Sequence, residues 1–122
     1  MGYYMYLRDY SLHIKKKDFD AALEAVKAAF PKNENIQRMA KLEDAMSCFC
    51  YVPELDDNGD ICGCCFVGAK LRDDYEFWSA LVPFIEDGDY IEMEGEDFTL
   101  WRWVFKNGLC KELEPTIVWE DE

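Results

Sequence analysis

Five of the chain's six cysteines lie in the stretch SCFCYVPELDDNGDICGCC, between Ser47 and Cys65. Thiolates at this density could bind zinc or take part in redox chemistry. Their spacings are CxC and CxCC, whereas common zinc knuckles use CxxC. In a hairpin that turns at Asp56–Asp60, Cys48 and Cys62 would lie about 20 Å apart, at about 3.3 Å per residue. Because zinc holds each sulfur at about 2.3 Å, this hairpin cannot gather four of them.

A second register is open, in which Asn58-Gly59 alone forms the turn. It places the two cysteine groups on opposite faces of the sheet, because a shift of one residue inverts every side chain. Both registers exclude a four-cysteine site. We therefore predict no metal site here and small cysteines buried in the core, with redox reactivity as the lesser alternative.

The acidic turn between the cysteines also resembles a calcium-binding loop in its spacing. Glu54, Asp56, Asn58 and Gly59 match loop positions 1, 3, 5 and 6. Position 12, which needs a bidentate glutamate, is occupied by Cys65, and the flanking residues alternate as strands do. Asn-Gly between apolar runs is a strong hairpin signal, so we interpret these acids as solvated turn residues.

Side chains suited to catalysis are few. His13 is the only histidine and stands beside a run of three lysines. The three serines have no nucleophile motif around them, and no glycine-rich phosphate loop occurs. We therefore predict no catalytic residues and no cofactor, and a protein that is not an enzyme.

The segment YIEMEGEDFTLWRWVF, Tyr90–Phe105, is the strongest candidate for a recognition surface, because Trp and Arg often anchor interfaces. The favoured interpretation is structural: Trp101 and Trp103 face the core, and Arg102 meets a carboxylate on the neighbouring strand. The two interpretations are compatible, since a structural hairpin can still present an acidic face. The predicted binding residues are acids of this hairpin and of the cysteine-flanked turn, with one arginine: Glu92, Glu94, Glu96, Asp97, Arg102, Asp56, Asp57 and Asp60.

Apolar periodicity and turn residues define the elements that must position these side chains. Apolar stripes at helical spacing predict helices over Asp18–Phe30 and Asp74–Ile85, with a break near Val82 caused by Pro83; Lys32–Lys41 is predicted to be a loop. Strands are predicted over Tyr3–Ile14, Cys48–Leu55, Ile61–Leu71, Tyr90–Glu94, Leu100–Phe105 and Leu109–Leu113.

The order β-α-β-β-α-β-β-β predicts an α+β fold in a single domain, residues 1–122. Its first six elements match a ferredoxin-like βαββαβ core, which the last strands extend as a C-terminal β-meander. We expect one antiparallel sheet with both helices on one face.

Charge is unevenly distributed along the chain, whose net charge is −13. Residues 1–47 carry eight basic and seven acidic side chains, and residues 48–122 carry five basic and nineteen acidic ones. Direct nucleic-acid binding is disfavoured because it needs a cationic surface, whereas a basic protein partner is permitted. The simpler interpretation is that acidity maintains solubility.

The location of the protein is predicted from what the chain lacks. It has no apolar run of about 18 residues, so we predict no membrane span. The N-terminus lacks the basic-then-apolar order of a signal peptide. We predict a cytoplasmic protein, whose cysteines should be thiols.

Three segments carry a resemblance: the start MGYYMYLRD, the turn DDNGDI followed by FVGAKL, and the block FWSALVPFIEDGDYIEMEGEDFTLWRWVF. Together they resemble an uncharacterised family of small bacterial and phage-associated proteins with an MGYYM opening and a YIEM-x-GED…WRWVF block. The chain departs from that pattern with LRDD where GDD is usual, DGDY where GSY is usual, and Phe98 after the GED. The cysteines are not part of the pattern, which supports a packing role. The resemblance implies no activity and no catalytic residues.

From these observations we predict a non-enzymatic protein–protein interaction module. Immunity proteins and phage-encoded inhibitors that bind a basic partner have this size and charge, by analogy. Two alternatives stay open: a small-ligand binder or enzyme that uses a cleft on the sheet face, and a structural homo-oligomer whose exposed strand edges pair. The oligomeric state does not follow from the sequence.

Overall fold

The computed structural model describes residues 5–67 and 74–116. Its strands are β1 (Met5–Ser11), β2 (Tyr51–Leu55), β3 (Ile61–Phe66), β4 (Tyr90–Gly95), β5 (Leu100–Lys106) and β6 (Leu109–Leu113). Its helices are α1 (Phe19–Ala29), α2 (Glu34–Gln37), α3 (Leu42–Cys48) and α4 (Asp74–Leu81), and short 3-10 turns cover Lys16–Asp18 and Val82–Phe84. The predicted start of the first strand at Tyr3, the end of the third at Leu71 and the MGYY and LRD motifs lie outside the described residues.

The strands form two sheets, and the mixed α+β class is confirmed. One sheet has four antiparallel strands in the order β1-β4-β5-β6, and the other is the β2–β3 hairpin. The prediction of one continuous sheet is wrong. The ferredoxin-like order stays a prediction, because within residues 5–67 and 74–116 the backbone pairing that joins β1 and β3 is an isolated bridge beyond the end of β1, between Ile14 and Ile61.

The backbone of His13 pairs on one side with the loop before β4. Its N–H donates to the Asp89 carboxylate at 2.7 Å, and its carbonyl accepts from the Glu86 N–H at 3.1 Å. Both groups are thereby used by the loop before β4 rather than by a neighbouring strand. The next residue, Ile14, pairs on the other side with Ile61, through bonds of 2.8 and 3.1 Å.

A cluster of aromatic side chains joins the two sheets. The ring of Trp78, on α4, lies 4.9 Å from that of Tyr51 on β2 and 5.4 Å from that of Phe105 on β5, measured between centroids. Phe49 stacks on Phe77 at 4.4 Å. These rings belong to one hydrophobic core that extends between the sheets. The predicted stripes of α1 and α4 supply much of this core, and the two helices pack on each other.

The structure confirms the predicted break at Pro83 and the predicted turn at Asn107-Gly108. Pro83 lies in the 3-10 turn that ends α4, as predicted. Asn107 and Gly108 both have positive φ, at 55° and 74°, the conformation that a two-residue hairpin turn requires. The predicted loop Lys32–Lys41 contains the short helix α2, because the Asn33 side chain accepts a hydrogen bond from the Ile36 N–H at 3.1 Å and caps it.

Within the described part of the chain, none of the helices has the length and apolar character needed to cross a membrane.

Candidate functional site

Alternation in β4 and β5 sorts the candidate recognition segment into two faces, as predicted. Ile91 and Met93 are buried on the inner face, together with Trp101 and Trp103. Arg102 is exposed on the outer face. The two tryptophan side chains are therefore part of the hydrophobic core, and the polar side chains of these strands point away from it.

Glu92 lies at the centre of the outer face, between two arginines. Arg102 is its cross-strand partner and donates to Glu92 Oε1 from Nε at 3.1 Å and also from Nη2. The Arg8 Nε lies 3.4 Å from Glu92 Oε2, and Arg8 Nη1 lies 3.9 Å from Glu94 Oε1. The hydrogen bond to Glu92 raises the pKa of Arg102. The predicted pairing of Arg102 with a carboxylate is confirmed.

A β-bulge in β1 places both Arg8 and Asp9 on this face. The register of β1 against β4 shifts between Leu7 and Asp9, so the alternation of side chains is broken there. Arg8 reaches Glu92, and as a result of the shift its neighbour Asp9 lies on the same face, where it accepts a hydrogen bond from the Tyr90 hydroxyl at 2.9 Å. That bond raises the pKa of Tyr90. Two of the predicted recognition acids, Glu92 and Glu94, therefore already form ion pairs with arginines.

A pocket of about 230 Å³ opens at the β6 side of this face. It is lined by Glu92, Leu100, Trp101, Arg102, Leu113, Glu114 and Pro115. Sites for small organic ligands usually have volumes of about 300–1,000 Å³. The pocket is below that range. Two of its three charged lining residues, Glu92 and Arg102, are paired with each other. It gives little support to a ligand-binding cleft on the sheet face.

The turn between β4 and β5 differs from the outer face of the strands, because its acids lie directly before an exposed aromatic residue. We call Glu96, Asp97 and Phe98 the hairpin tip. Phe98 is 82% exposed and has a φ of 66°, in the left-handed region that non-glycine residues rarely adopt. Its N–H donates to the Gly95 carbonyl at 2.9 Å, and the Asp97 carboxylate accepts from the Thr99 N–H at 3.1 Å.

The second group of predicted acids stabilises its own turn. Asp56 Oδ1 accepts from the N–H groups of Asn58 and Asp60, at 2.9 and 3.0 Å. Asp60 Oδ1 accepts from the Lys16 N–H at 2.7 Å. Asp57 is exposed. These bonds explain why acids occur in this turn without any need for calcium or a partner.

The two acidic groups are not brought together. Gly95, beside the hairpin tip, pairs with Met5 at the start of β1. Ile61, beside the Asp56–Asp60 turn, pairs with Ile14 beyond the end of β1. The hairpin tip and the Asp56–Asp60 turn therefore lie at opposite ends of the segment Met5–Ile14 and cannot form one compact recognition surface.

The cysteines divide into buried and exposed groups. Cys64 and Cys110 are buried, and burial raises the pKa of each thiol from 9.0 to about 12. The predicted burial is wrong for Cys48, Cys62 and Cys65, which are exposed. One cause is that α3 continues to Cys48, which was expected on a strand. Another is the register shift between Glu54 and Leu55 in the β2–β3 pair, which changes the alternation along β3.

One cluster of chemically capable side chains was not predicted. His13 Nδ1 lies 3.2 Å from Glu86 Oε2 and 3.2 Å from Asp89 Oδ2. Asp89 also accepts from the Ser11 hydroxyl at 2.9 Å and is almost fully buried. No local pattern could reveal this cluster, because 76 residues separate His13 from Asp89 and only the packing of β1 on β4 brings them together.

No protein-family model, no curated protein and no solved structure matches this chain. The function must therefore be inferred from the geometry of the described residues.

Proposed function

We propose that this protein is a non-enzymatic interaction module that binds a basic protein surface through the hairpin tip. The observation that carries the proposal is Phe98, an aromatic side chain 82% exposed on a backbone of left-handed φ. Large aromatic residues are frequent anchors of protein interfaces. An immunity-type or inhibitor-type protein directed at a basic enzyme would work in this way, by analogy alone.

The backbone of Phe98 makes its exposure meaningful. Single exposed apolar residues are common and need no explanation. A non-glycine residue in the left-handed region, however, costs about 1–3 kcal/mol and is found preferentially at functional positions. Glycine or asparagine would fit this turn at lower cost. Phe98 therefore lowers stability without burying its ring, and binding a partner would give the ring a role.

Charge indicates the chemistry of the partner. Glu96 and Asp97 are exposed beside Phe98, and the chain as a whole has a net charge of −13. A partner with an apolar depression surrounded by Lys and Arg would complement this tip, and the long-range attraction would accelerate encounter. Glu92 and Glu94 contribute less, because Arg8 and Arg102 already lie beside them.

The binding test compares two charge reversals of equal size. Wild-type protein is used to capture a partner, and association rates are then measured by surface plasmon resonance over a range of salt. We expect Glu96→Lys with Asp97→Lys to slow association several-fold at low salt, with the difference shrinking as salt screens the charges. The matched control is Asp20→Lys with Glu24→Lys on the exposed side of α1, which changes net charge equally. Glu92 is left unchanged, because a lysine there would stand between two arginines.

If the tip variant and the α1 variant bind at the wild-type rate at every salt concentration, the hairpin tip is not the recognition surface. Equal slowing by both variants would assign the effect to net charge alone, and the acidity would then be explained by solubility.

A second prediction separates the ring of Phe98 from its backbone. We expect Phe98→Gly to raise the free energy of unfolding by about 1 kcal/mol, since glycine adopts a positive φ without the clash of a Cβ atom. Phe98→Ala keeps that clash and should not stabilise the protein. Both variants lose the ring and should speed dissociation from the partner. Chemical denaturation followed by circular dichroism measures the first effect; a destabilised Phe98→Gly variant would contradict the strain argument.

A further inference from the structure

The cluster of His13, Glu86 and Asp89 lies where the end of β1 meets the loop before β4. The imidazole and the Glu86 carboxylate are solvent-exposed, at 49% and 67%, whereas the Asp89 side chain is only 5% exposed. The cluster thus has a fixed, buried base and an open outer side. One ligand atom from each side chain lies within 4.8 Å of the other two.

Asp89 is a buried carboxylate whose hydrogen-bond donors include neutral groups. It accepts hydrogen bonds from the Ser11 hydroxyl at 2.9 Å and from the His13 N–H at 2.7 Å. Over residues 5–67 and 74–116, no lysine or arginine forms an ion pair with it, and its Oδ2 lies 3.2 Å from Nδ1 of the His13 imidazole, which is charged only when protonated. Burying an ionised carboxylate is costly unless positive charge or hydrogen bonds compensate, so a cation at this position would be stabilised.

We propose that His13 Nδ1, Asp89 and Glu86 bind a divalent first-row transition-metal ion such as zinc. Two ligand atoms, each about 2.1 Å from an ion and at a right or tetrahedral angle, lie about 3.0–3.4 Å apart. The separations of Nδ1 from the two carboxylates are both 3.2 Å, within that range. One imidazole with two carboxylates is a donor set that such ions accept, and water would complete the coordination on the exposed side.

The same separations describe hydrogen bonds in the metal-free protein. Nδ1 is surrounded by carboxylate oxygens, which only accept, so this nitrogen carries a hydrogen there. Metal binding forms a bond from Nδ1 to the ion. The Nδ1 proton leaves to solvent and, where the ring was neutral, Nε2 takes up a proton from solvent, so that the bound imidazole is the Nε2–H tautomer. The ion would link the chain just after β1 to the loop before β4. This inference is independent of the proposed function, whose residues lie at the other end of the segment Met5–Ile14.

Exposed thiols are the main competitor in any test. Cys48, Cys62 and Cys65 are all exposed, and thiolates bind zinc strongly. The experiment therefore uses the Cys48→Ser, Cys62→Ser, Cys65→Ser background beside the wild-type chain, both reduced. Because His13 is the only histidine, its ring proton resonances report this site directly in NMR spectra, and calorimetry gives the affinity and the stoichiometry.

We expect zinc to shift the His13 ring resonances saturably at one equivalent in both backgrounds. Glu86→Gln and His13→Asn should each weaken binding by about tenfold or more, since loss of even an outer-shell partner commonly costs that much. Glu112→Gln, an exposed carboxylate on β6, is the matched control and should bind as the parent does. Circular dichroism checks that each variant is folded.

Three outcomes would overturn the proposal. The His13 resonances could stay unchanged during the zinc titration; Glu86→Gln or His13→Asn could retain the parent affinity; or binding could vanish in the serine background, which would assign the ion to the thiols.

Discussion

Trp78→Ala is expected to lower the free energy of unfolding by about 3–5 kcal/mol, the usual cost of removing a large buried aromatic side chain. Trp78 is completely buried. It contacts Tyr51 of the two-stranded sheet, Phe105 of the four-stranded sheet and Phe77 of its own helix. Over the described residues the backbone pairing between the sheets is limited to the Ile14–Ile61 bridge, so packing around this indole contributes much of what joins them.

The matched control is Tyr75→Ala on the same helix. Tyr75 is 51% exposed, and surface substitutions usually change stability by no more than about 0.5 kcal/mol. Urea denaturation followed by far-ultraviolet circular dichroism measures both variants without depending on tryptophan fluorescence. A loss at Trp78 no larger than that at Tyr75 would contradict the role assigned to the aromatic cluster.

Alkaline solution is expected to destabilise the protein strongly. Burial raises the pKa of Cys64 and of Cys110 from 9.0 to about 12, so the folded state keeps two protons that the unfolded chain releases earlier. The unfolded state then binds fewer protons, and stability falls as pH rises. Each thiol's contribution is complete below pH 9 and is lost towards pH 12, at up to about 1.4 kcal/mol per pH unit.

Tyr51 adds to this effect at higher pH. Burial, and secondarily the nearby Asp74 carboxylate, raise the pKa of its hydroxyl well above the usual value of 10.0. That hydroxyl donates to Asp74 Oδ2 at 3.3 Å, a bond that needs the protonated form. Ionisation of Tyr51 in the unfolded chain therefore steepens the decline above pH 10.

Two cysteine variants test the assignment. Cys64→Ala should reduce the slope of stability against pH between about pH 9 and 11, by up to about 1.4 kcal/mol per pH unit. Cys62→Ala, on the same strand but exposed, should leave the slope unchanged. Denaturation is measured at each pH in reductant. Identical slopes for Cys64→Ala and the wild-type chain would show that this thiol does not titrate as its burial implies.

Where structure depends on near neighbours in the chain, sequence reasoning succeeded. The alternation of β4 and β5 follows from a period of two, and it correctly separated Trp101 and Trp103 from Arg102. The Asn107-Gly108 turn follows from the ease with which these residues adopt positive φ. The carboxylate partner of Arg102 could also be predicted from the neighbouring strand, but the second arginine beside Glu92, which comes from β1, could not.

Contacts between distant segments decided the rest. The bulge that places Asp9 beside Arg8 on the outer face and the division into two sheets depend on how β1 lies on β4. His13 and Asp89 meet across 76 residues.

The sequence by itself therefore determined the α+β class, the inner and outer faces of its central hairpin and the positions of its tight turns, since these follow from residue type and local periodicity. Only the tertiary structure decided which acids are paired, which thiols are buried and which side chains surround the one histidine. Those outcomes depend on the relative placement of strands, which in turn depends on the packing of the whole core.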